Sequence, residues 1–342
     1  MSRSELPAAS EYYVGWLCAL QVPERIAAIA MLDKKYEYEA CGLDPPVDTG
    51  RSGNIYTYGR MGRRNVVIAC LDKGGTGNMN SAQMLGPLME YFKNMNIFIL
   101  VGIAGGIPGP RGFIDKKNTL KNIHLGDVVI SSRRKSSPGV ESWTEVEVKT
   151  KGNPNVAALD KAHHALQQAA GLLEAELASP NGHKILTPYW ERLKNWESLR
   201  RPELEDVLYQ ADYEHADEDD TCSSCDETRR VVRPQRKSGA LPVIHYGMVL
   251  SGNLMKSGVR RDELAREHPT ALCFEMEAAG LDNSHCLTVR GISDYADSHK
   301  NKEWQGFAAA SAAVVAKHII ELAQFHVPEM PKPNSKIRLR GT

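Results

Sequence analysis

Residues 273–280 read CFEMEAAG, and two carboxylates, Glu275 and Glu277, stand in this otherwise apolar run. Burying a carboxylate is costly unless something pairs with it, so each acid needs donors from the protein or from a ligand. Two further acids sit where elements begin or end: Glu24, directly after Pro23, and Asp294, in RGISDYADSH (290–299). Both have plain structural readings. A first-turn acid is favoured by the helix dipole, and an aspartate after a strand is a common cap or turn former. Arg290, four residues before Asp294 on an apolar run, is harder to explain that way. An always-charged guanidinium there needs an acid or a ligand to offset its desolvation. Acids and a cation so placed are the material of proton transfer and of holding hydroxyl groups.

These residues need a scaffold of buried strands. YVGWLCAL (13–20), NVVIACLD (65–72), IFILVGIAGG (97–106), GDVVISS (126–132), VIHYGMVLSG (243–252), ALCFE (271–275) and CLTVRGIS (286–293) read as strands. Several are continuous apolar, β-branched runs, as strands covered on both faces should be. PERIAAIAMLD (23–33), SAQMLGPLMEYFKNM (81–95) and the long KEWQGFAAASAAVVAKHIIELAQF (302–325) carry helical spacing. Strands alternating with helices predict an α/β fold around a central mixed sheet. Two Gly-rich stretches follow strands, Gly74-Gly75-Thr76-Gly77 and Gly102-Ile103-Ala104-Gly105-Gly106, and read as turns where a backbone can approach a ligand. Neither is a phosphate loop or a dinucleotide fingerprint.

The 342 residues contain 42% apolar and 25% charged side chains, with 42 basic residues balancing 42 acidic ones. That balance gives no electrostatic case for nucleic acid or a membrane surface. No run reaches the ~18 apolar residues that span a bilayer, and the first residues lack a signal-type pattern. Seven cysteines, mostly in apolar runs, fit free thiols in a reducing, cytoplasmic setting. Residues 1–12 read as a polar tail, 13–326 as one domain and 327–342 as a disordered tail. The domain is interrupted at about 180–242 by a polar, partly mobile insertion. Within it, Cys222-Ser-Ser-Cys225 with His215 upstream offers three of the four ligands of a structural zinc site, with Asp217 or Asp226 as possible fourths. A surface dithiol explains the pair equally well, so no metal and no cofactor is assigned.

LVGIAGGIPG followed by HLGDVVIS, then FEMEAAG, then VRGISDYAD, in this order, resembles the nucleoside phosphorylase/nucleosidase superfamily. CFEMEAAGLDN through RGISDYADSHKNKEWQGFAAASAA looks most like its fungal branch, found as a module in larger immune-like proteins. The resemblance covers roughly residues 13–175 and 243–326. It implies a three-layer α/β/α fold with a mixed, partly barrel-like sheet, and cleavage of a nucleoside's N-glycosidic bond. On the matching motifs, Asp294 is the acid at the purine and Glu277 grips the ribose hydroxyls with Met276 against the sugar. Glu275 supports them, Asn253 and Leu254 flank the base, and Ile103, Ala104 and Gly105 lie near C1′.

The superfamily's phosphorylases build a phosphate pocket with an arginine and a hydroxyl at the second Gly-rich stretch, here Leu100-Val101-Gly102-Ile103. A desolvated phosphate needs charge-assisted donors, and these are apolar. The nucleosidases instead activate water with an early glutamate, which Glu24 matches, with one extra residue in ALQVPE. Arg290 would help hold the water or the sugar. The resemblance thus implies a purine nucleosidase, with adenosine foremost, and at least a homodimer. A phosphorylase, an ATP nucleosidase and a silent nucleotide sensor are the alternatives. ATP would need cations near its 5′ end, for which Arg236, Lys237, Lys300 and Lys302 are available.

Overall fold

The computed structural model describes residues 6–38, 53–72, 77–108, 122–132, 140–142, 157–158, 162–216, 222–233, 236, 241–252, 257–281, 284–299 and 302–325. YYVGWLC forms β1 (Tyr12–Cys18), buried at every position. A wide helical turn, Gln21–Arg25, leads into α1 (Ile26–Ala30), so the helix expected over 23–33 is shorter. Val22 is non-helical inside that turn, where the chain bends to bring the Glu24 carboxylate back onto the Ala19 and Leu20 amides. Then come β2 (Lys34–Tyr36), β3 (Ile55–Met61), β4 (Arg64–Cys70), α2 (Asn78–Tyr91) and β5 (Ile97–Gly106). After these follow β6 (Val128–Ser131), β7 (Val140–Ser142), β8 (Ala157–Ala158), α3 (His164–Leu177) and α4 (Thr187–Leu193). The last elements are β9 (Ile244–Ser251), α5 (Gly258–Glu267), β10 (Ala271–Glu275), β11 (Leu287–Asp294) and α6 (Trp304–Leu322).

The strands form one mixed sheet in the order β2-β3-β4-β1-β5-β11-β6-β9-β7-β8. β10 bridges β5 and β9, so β5, β11, β6, β9 and β10 close into a ring and the sheet is partly a barrel. The glycines of 102–106 do not form the turn expected of them; they continue β5. Arg290, Gly291, Ile292 and Asp294 of β11 pair with Gly102, Ile103, Ala104 and Gly105 on one side. Phe274 and Cys273 of β10 pair with Gly105 and Gly106 on the other. A strand flanked on both edges at a closing ring needs glycine for close approach rather than for reversal.

Side chains alternate across the sheet with a period of two. On β5, Ile97, Ile99 and Val101 join a core with Trp16, Ile68, Leu166, Leu173 and the buried length of α6. Phe98, Leu100 and Ala104 join the opposite core with Tyr12, Leu17, Met84, Leu88 and Phe92. Helices therefore cover both faces, giving the expected three layers. The alanine-rich α6 lies so close to β11 that a Cβ on Gly291 would meet the Ala308 carbonyl at 1.8 Å. The segment expected to be a polar insertion contributes to the interior. Leu193, Leu199, Leu208 and Tyr209 are buried, and Asp206 is tied to His124, Arg233 and Tyr295. Among the described residues no helix is long and apolar enough to cross a membrane.

Candidate active site

A cavity of about 300 Å³ opens beyond the carboxyl ends of the central strands, where ligands collect in open α/β sheets. Its walls include Glu24, Ile103, Ala104, Gly105, Glu275, Met276, Glu277 and Asp294, which come from four separate stretches of sequence. Gly252 also lines it, while Asn253 and Leu254 lie outside the described residues. So do Lys237, Lys300 and Asp217, and of the first Gly-rich stretch only Gly77 is described.

Glu24 is buried and is no ordinary first-turn acid. One carboxylate oxygen accepts from the Ala19 and Leu20 amides at 2.8 and 2.9 Å, and the other accepts from the Ile103 amide at 2.8 Å. Three backbone donors thus fix the carboxylate between β1 and β5. That fit requires Gly102, whose Cβ would fall 2.3 Å from Glu24 Oε1 and 2.4 Å from Arg290 Nη1.

Arg290 is fully buried among three acids. Its Nη2 donates to Glu275 Oε2 and, at 3.1 Å, to Glu277 Oε2; its Nη1 lies 3.9 Å from Glu24 Oε1. Burial opposes its charge, but the three acids outweigh burial and hold its pKa above the ordinary arginine value. Arg290 is not in the cavity wall, so it reaches a ligand only through the carboxylates it orients.

Glu275 and Glu277 solve the burial problem differently. Glu275 accepts from the Glu277 amide at 3.0 Å and the Ala278 amide at 3.0 Å, besides Arg290, so the protein itself satisfies it. Glu277 receives Arg290 and a long bond from the Gly77 amide at 3.4 Å. Its pKa is raised to about 7: burial favours the neutral form, Arg290 opposes this, and Glu275 and Glu24 add to it. Beside it, Met276 is 39% exposed, an apolar side chain left open in the cavity wall.

Asp294 is both turn former and cavity residue. Oδ1 accepts from the Ala296 amide at 3.0 Å and Oδ2 from the Ser293 hydroxyl at 2.9 Å. Ala296 takes a positive φ of 53°, which turns the chain back over the aspartate. Gly105 is needed beneath it, since a Cβ there would come 2.9 Å from Asp294 Oδ1. Sequence reasoning missed Ser293, Phe274, Leu20 and Gln305, all of which line the cavity. Ser293 and Phe274 stand next to chosen acids and could have been found by adjacency; Gln305, on the opening turn of α6, carries no such signal. Arg236, considered for a nucleotide's 5′ end, instead pairs with the buried Asp127.

No family profile matches the chain. The chain is 35% identical over 334 residues to a nucleotide-binding leucine-rich repeat (NLR)-like protein of Hyaloscypha variabilis, covering 96% of this chain and 30% of that protein. It is 23% identical over 297 residues to a death domain-containing ATP nucleosidase of Amphimedon queenslandica, covering 82% of this chain and 44% of that one. The chain thus spans less than half the length of the curated relatives it matches. Among solved structures, futalosine hydrolase of Helicobacter pylori superposes with a TM-score of 0.54 at 14% identity, over 91% of this chain and 98% of that one. The 5′-methylthioadenosine/S-adenosylhomocysteine nucleosidase of Neisseria meningitidis, solved with methylthio-immucillin-A, gives 0.53 at 17% identity, over 90% and 98%.

Proposed function

We propose that this chain, which has the fold of the nucleoside phosphorylase/nucleosidase superfamily, is a purine nucleosidase that cleaves adenosine to adenine and ribose. The observation that carries the reading is the sign of the site. Glu24, Glu275, Glu277 and Asp294 line the cavity, and among the described residues no lysine, arginine or histidine does. The cation against Glu24, Glu275 and Glu277, Arg290, is already shared by all three. A phosphate dianion entering here would meet carboxylates and no charge-assisted donor, which disfavours phosphorolysis. Water carries no such penalty.

The residues divide the work as follows. Glu277 accepts hydrogen bonds from the ribose hydroxyls, and Met276 covers the sugar. Asp294, oriented by Ser293 and the Ala296 amide, gives its proton to the purine N7 as the C1′–N9 bond pair leaves with the base. Glu24, locked by three amides, takes a proton from water as its oxygen bonds to C1′. Ile103, Ala104 and Gly105 form the wall beside C1′. Arg290 and Glu275 are positioning residues that keep Glu277 and Glu24 in place. Residues 13–326 act as one catalytic unit, working as a homo-oligomer in the cytoplasm.

A second reading, cleavage of the N-glycosidic bond of ATP, is favoured by the name of the Amphimedon queenslandica relative and by Lys302, exposed three residues before Gln305 of the cavity wall. Chromatography of adenosine, inosine, guanosine and ATP incubated with the protein, with and without phosphate, separates these readings. Free adenine and ribose from adenosine without phosphate is the expected result. Ribose 1-phosphate formed only with phosphate identifies a phosphorylase, and release of adenine from ATP alone shifts the substrate to the nucleotide. Asp294→Asn should lower kcat by about 10²–10⁴-fold, the usual worth of a general acid, while circular dichroism stays native. Full activity in that variant overturns the assignment of the acid.

A further inference from the structure

Outside the cavity, the fold gathers soft ligands from the insertion. One imidazole nitrogen of His215 and the sulfurs of Cys222 and Cys225 lie within 4.8 Å of one another. In a tetrahedral zinc site the same atoms stand roughly 3.3–3.8 Å apart, given bonds of about 2.0–2.3 Å, so a small contraction brings these three to ligand spacing, and a fourth ligand must move in from outside the group. Cys222 and Cys225 share a tight turn, the Cys225 amide donating to the Cys222 carbonyl at 3.2 Å, and both thiols are free. Of the fourth ligands suggested by the sequence, Asp217 lies outside the described residues. Asp226 caps its own turn by accepting from the Thr228 amide and hydroxyl.

A different side chain points to a ligand. His299 is buried, 9% exposed, and neither of its ring nitrogens has a hydrogen-bond partner. Leaving a buried polar group unpaired costs about 1–3 kcal/mol. Its ring stacks on Tyr209 at 4.1 Å and lies 5.4 Å, centroid to centroid, from the ring of His215. Nδ1 sits 3.9 Å from the Asp297 carboxylate, which Arg261 holds in turn. A carboxylate behind one nitrogen of an imidazole whose other nitrogen binds a metal is the usual outer shell of a histidine ligand.

We propose that His215, Cys222, Cys225 and His299 bind one zinc ion, a structural clamp between the insertion and the loop that follows Asp294. Two thiolates and two imidazoles are a donor set that zinc satisfies in four-coordinate form, each thiol giving up its proton on binding. The two sides are already in contact, since the His215 amide donates to the Ser298 hydroxyl at 2.9 Å. Four closed ligands leave no position for substrate, so the ion acts on order rather than on chemistry.

The test uses the full chain purified without chelator. Elemental mass spectrometry should find one zinc per chain, and the paired Cys222→Ser and Cys225→Ser variant should carry none. Replacing zinc with Co²⁺ should produce thiolate-to-metal charge-transfer bands and the intense visible bands of a tetrahedral centre. That spectrum is read on the unaltered chain, so it decides the matter even if the serine variant fails to fold. His299→Ala should lower zinc affinity by more than the about 10–100-fold seen when only a supporting partner of a ligand is removed, measured by competition with a chromogenic chelator. A chain with only trace zinc and no thiolate band with Co²⁺, or one whose Cys222 and Cys225 are joined as a disulfide, overturns the site. Unchanged affinity and spectrum in His299→Ala overturn the fourth ligand.

Discussion

On the proposed reading, two demands on Glu277 conflict. It must be ionised to accept fully from ribose hydroxyls, yet its pKa is raised to about 7, first by burial and then by Glu275 and Glu24, against Arg290. The folded value lies above the unfolded one. Its contribution to stability is therefore complete below the unfolded carboxylate value and is lost as pH rises through about 7. A ribose bound as proposed would reverse that penalty by donating to the ion. The expected outcome is a kcat/KM that falls up to about tenfold per unit below about pH 7, with KM carrying the fall. Glu277→Gln should be weaker throughout and should lose that limb. A flat wild-type profile from about pH 5 to about pH 8 contradicts the role given to Glu277. At this scale the sequence was informative about identity: an acid in an apolar run has few explanations, and Glu24, Glu275, Glu277 and Asp294 all line one cavity. It was silent about facing. Nothing in VRGIS says that Arg290 stands behind the carboxylates instead of among the ligands, because its three partners lie on two other segments, one around Glu24 and one carrying Glu275 and Glu277.

β5 decides whether these side chains meet. It carries Gly102 under Glu24 and Arg290, and Gly105 under Asp294, so two separate acids depend on one strand lacking Cβ atoms. Gly102→Ala should push Glu24 off the Ile103 amide. A misplacement near 1 Å can cost about 10²-fold in rate, so kcat should fall by about that much, with a lower melting temperature. Gly171→Ala is the control: it lies in α3 with nothing within 4 Å of a new Cβ, and should stabilise the chain by about 0.5–1 kcal/mol. If Gly102→Ala melts and turns over like wild type, Glu24 is not held against β5 as described. Seven of the eleven strands among the described residues were legible from apolar, β-branched runs; β2, β3, β7 and β8 carry no such run and were not read. The continuation of β5 through its glycines was not, because it depends on β10 and β11 pairing with both its edges, and sequence periodicity carries no record of a strand's neighbours.

At the scale of the molecule, the described residues between α4 and β9 behave as part of the fold. The sequence predicts a polar, partly mobile insertion there, yet Asp206 is buried with partners more than eighty residues away. His124 lies 2.6 Å from it, the Leu125 amide donates to it, and the Tyr295 hydroxyl donates from beside Asp294. Arg233 completes the group from within the segment at 2.6 Å. Burial alone would raise the Asp206 pKa, but His124, Arg233 and Tyr295 together hold it below the usual carboxylate range. Its stabilisation is therefore complete above the unfolded carboxylate value and lost as pH falls through the lowered folded one. Asp206→Asn keeps the shape and removes the charge, leaving Arg233 buried against a neutral amide. Breaking a buried pair costs about 3–5 kcal/mol, so urea denaturation near neutral pH should show a loss of that order. The gap between variant and wild type should narrow as pH falls below the usual carboxylate range and through the lowered folded value, where the wild-type carboxylate itself becomes protonated. Limited proteolysis should then cut the variant first between α4 and β9. A loss below about 1 kcal/mol, the worth of an exposed pair, with an unchanged cleavage pattern, would place the segment outside the cooperative core and separate its fate from that of Asp294.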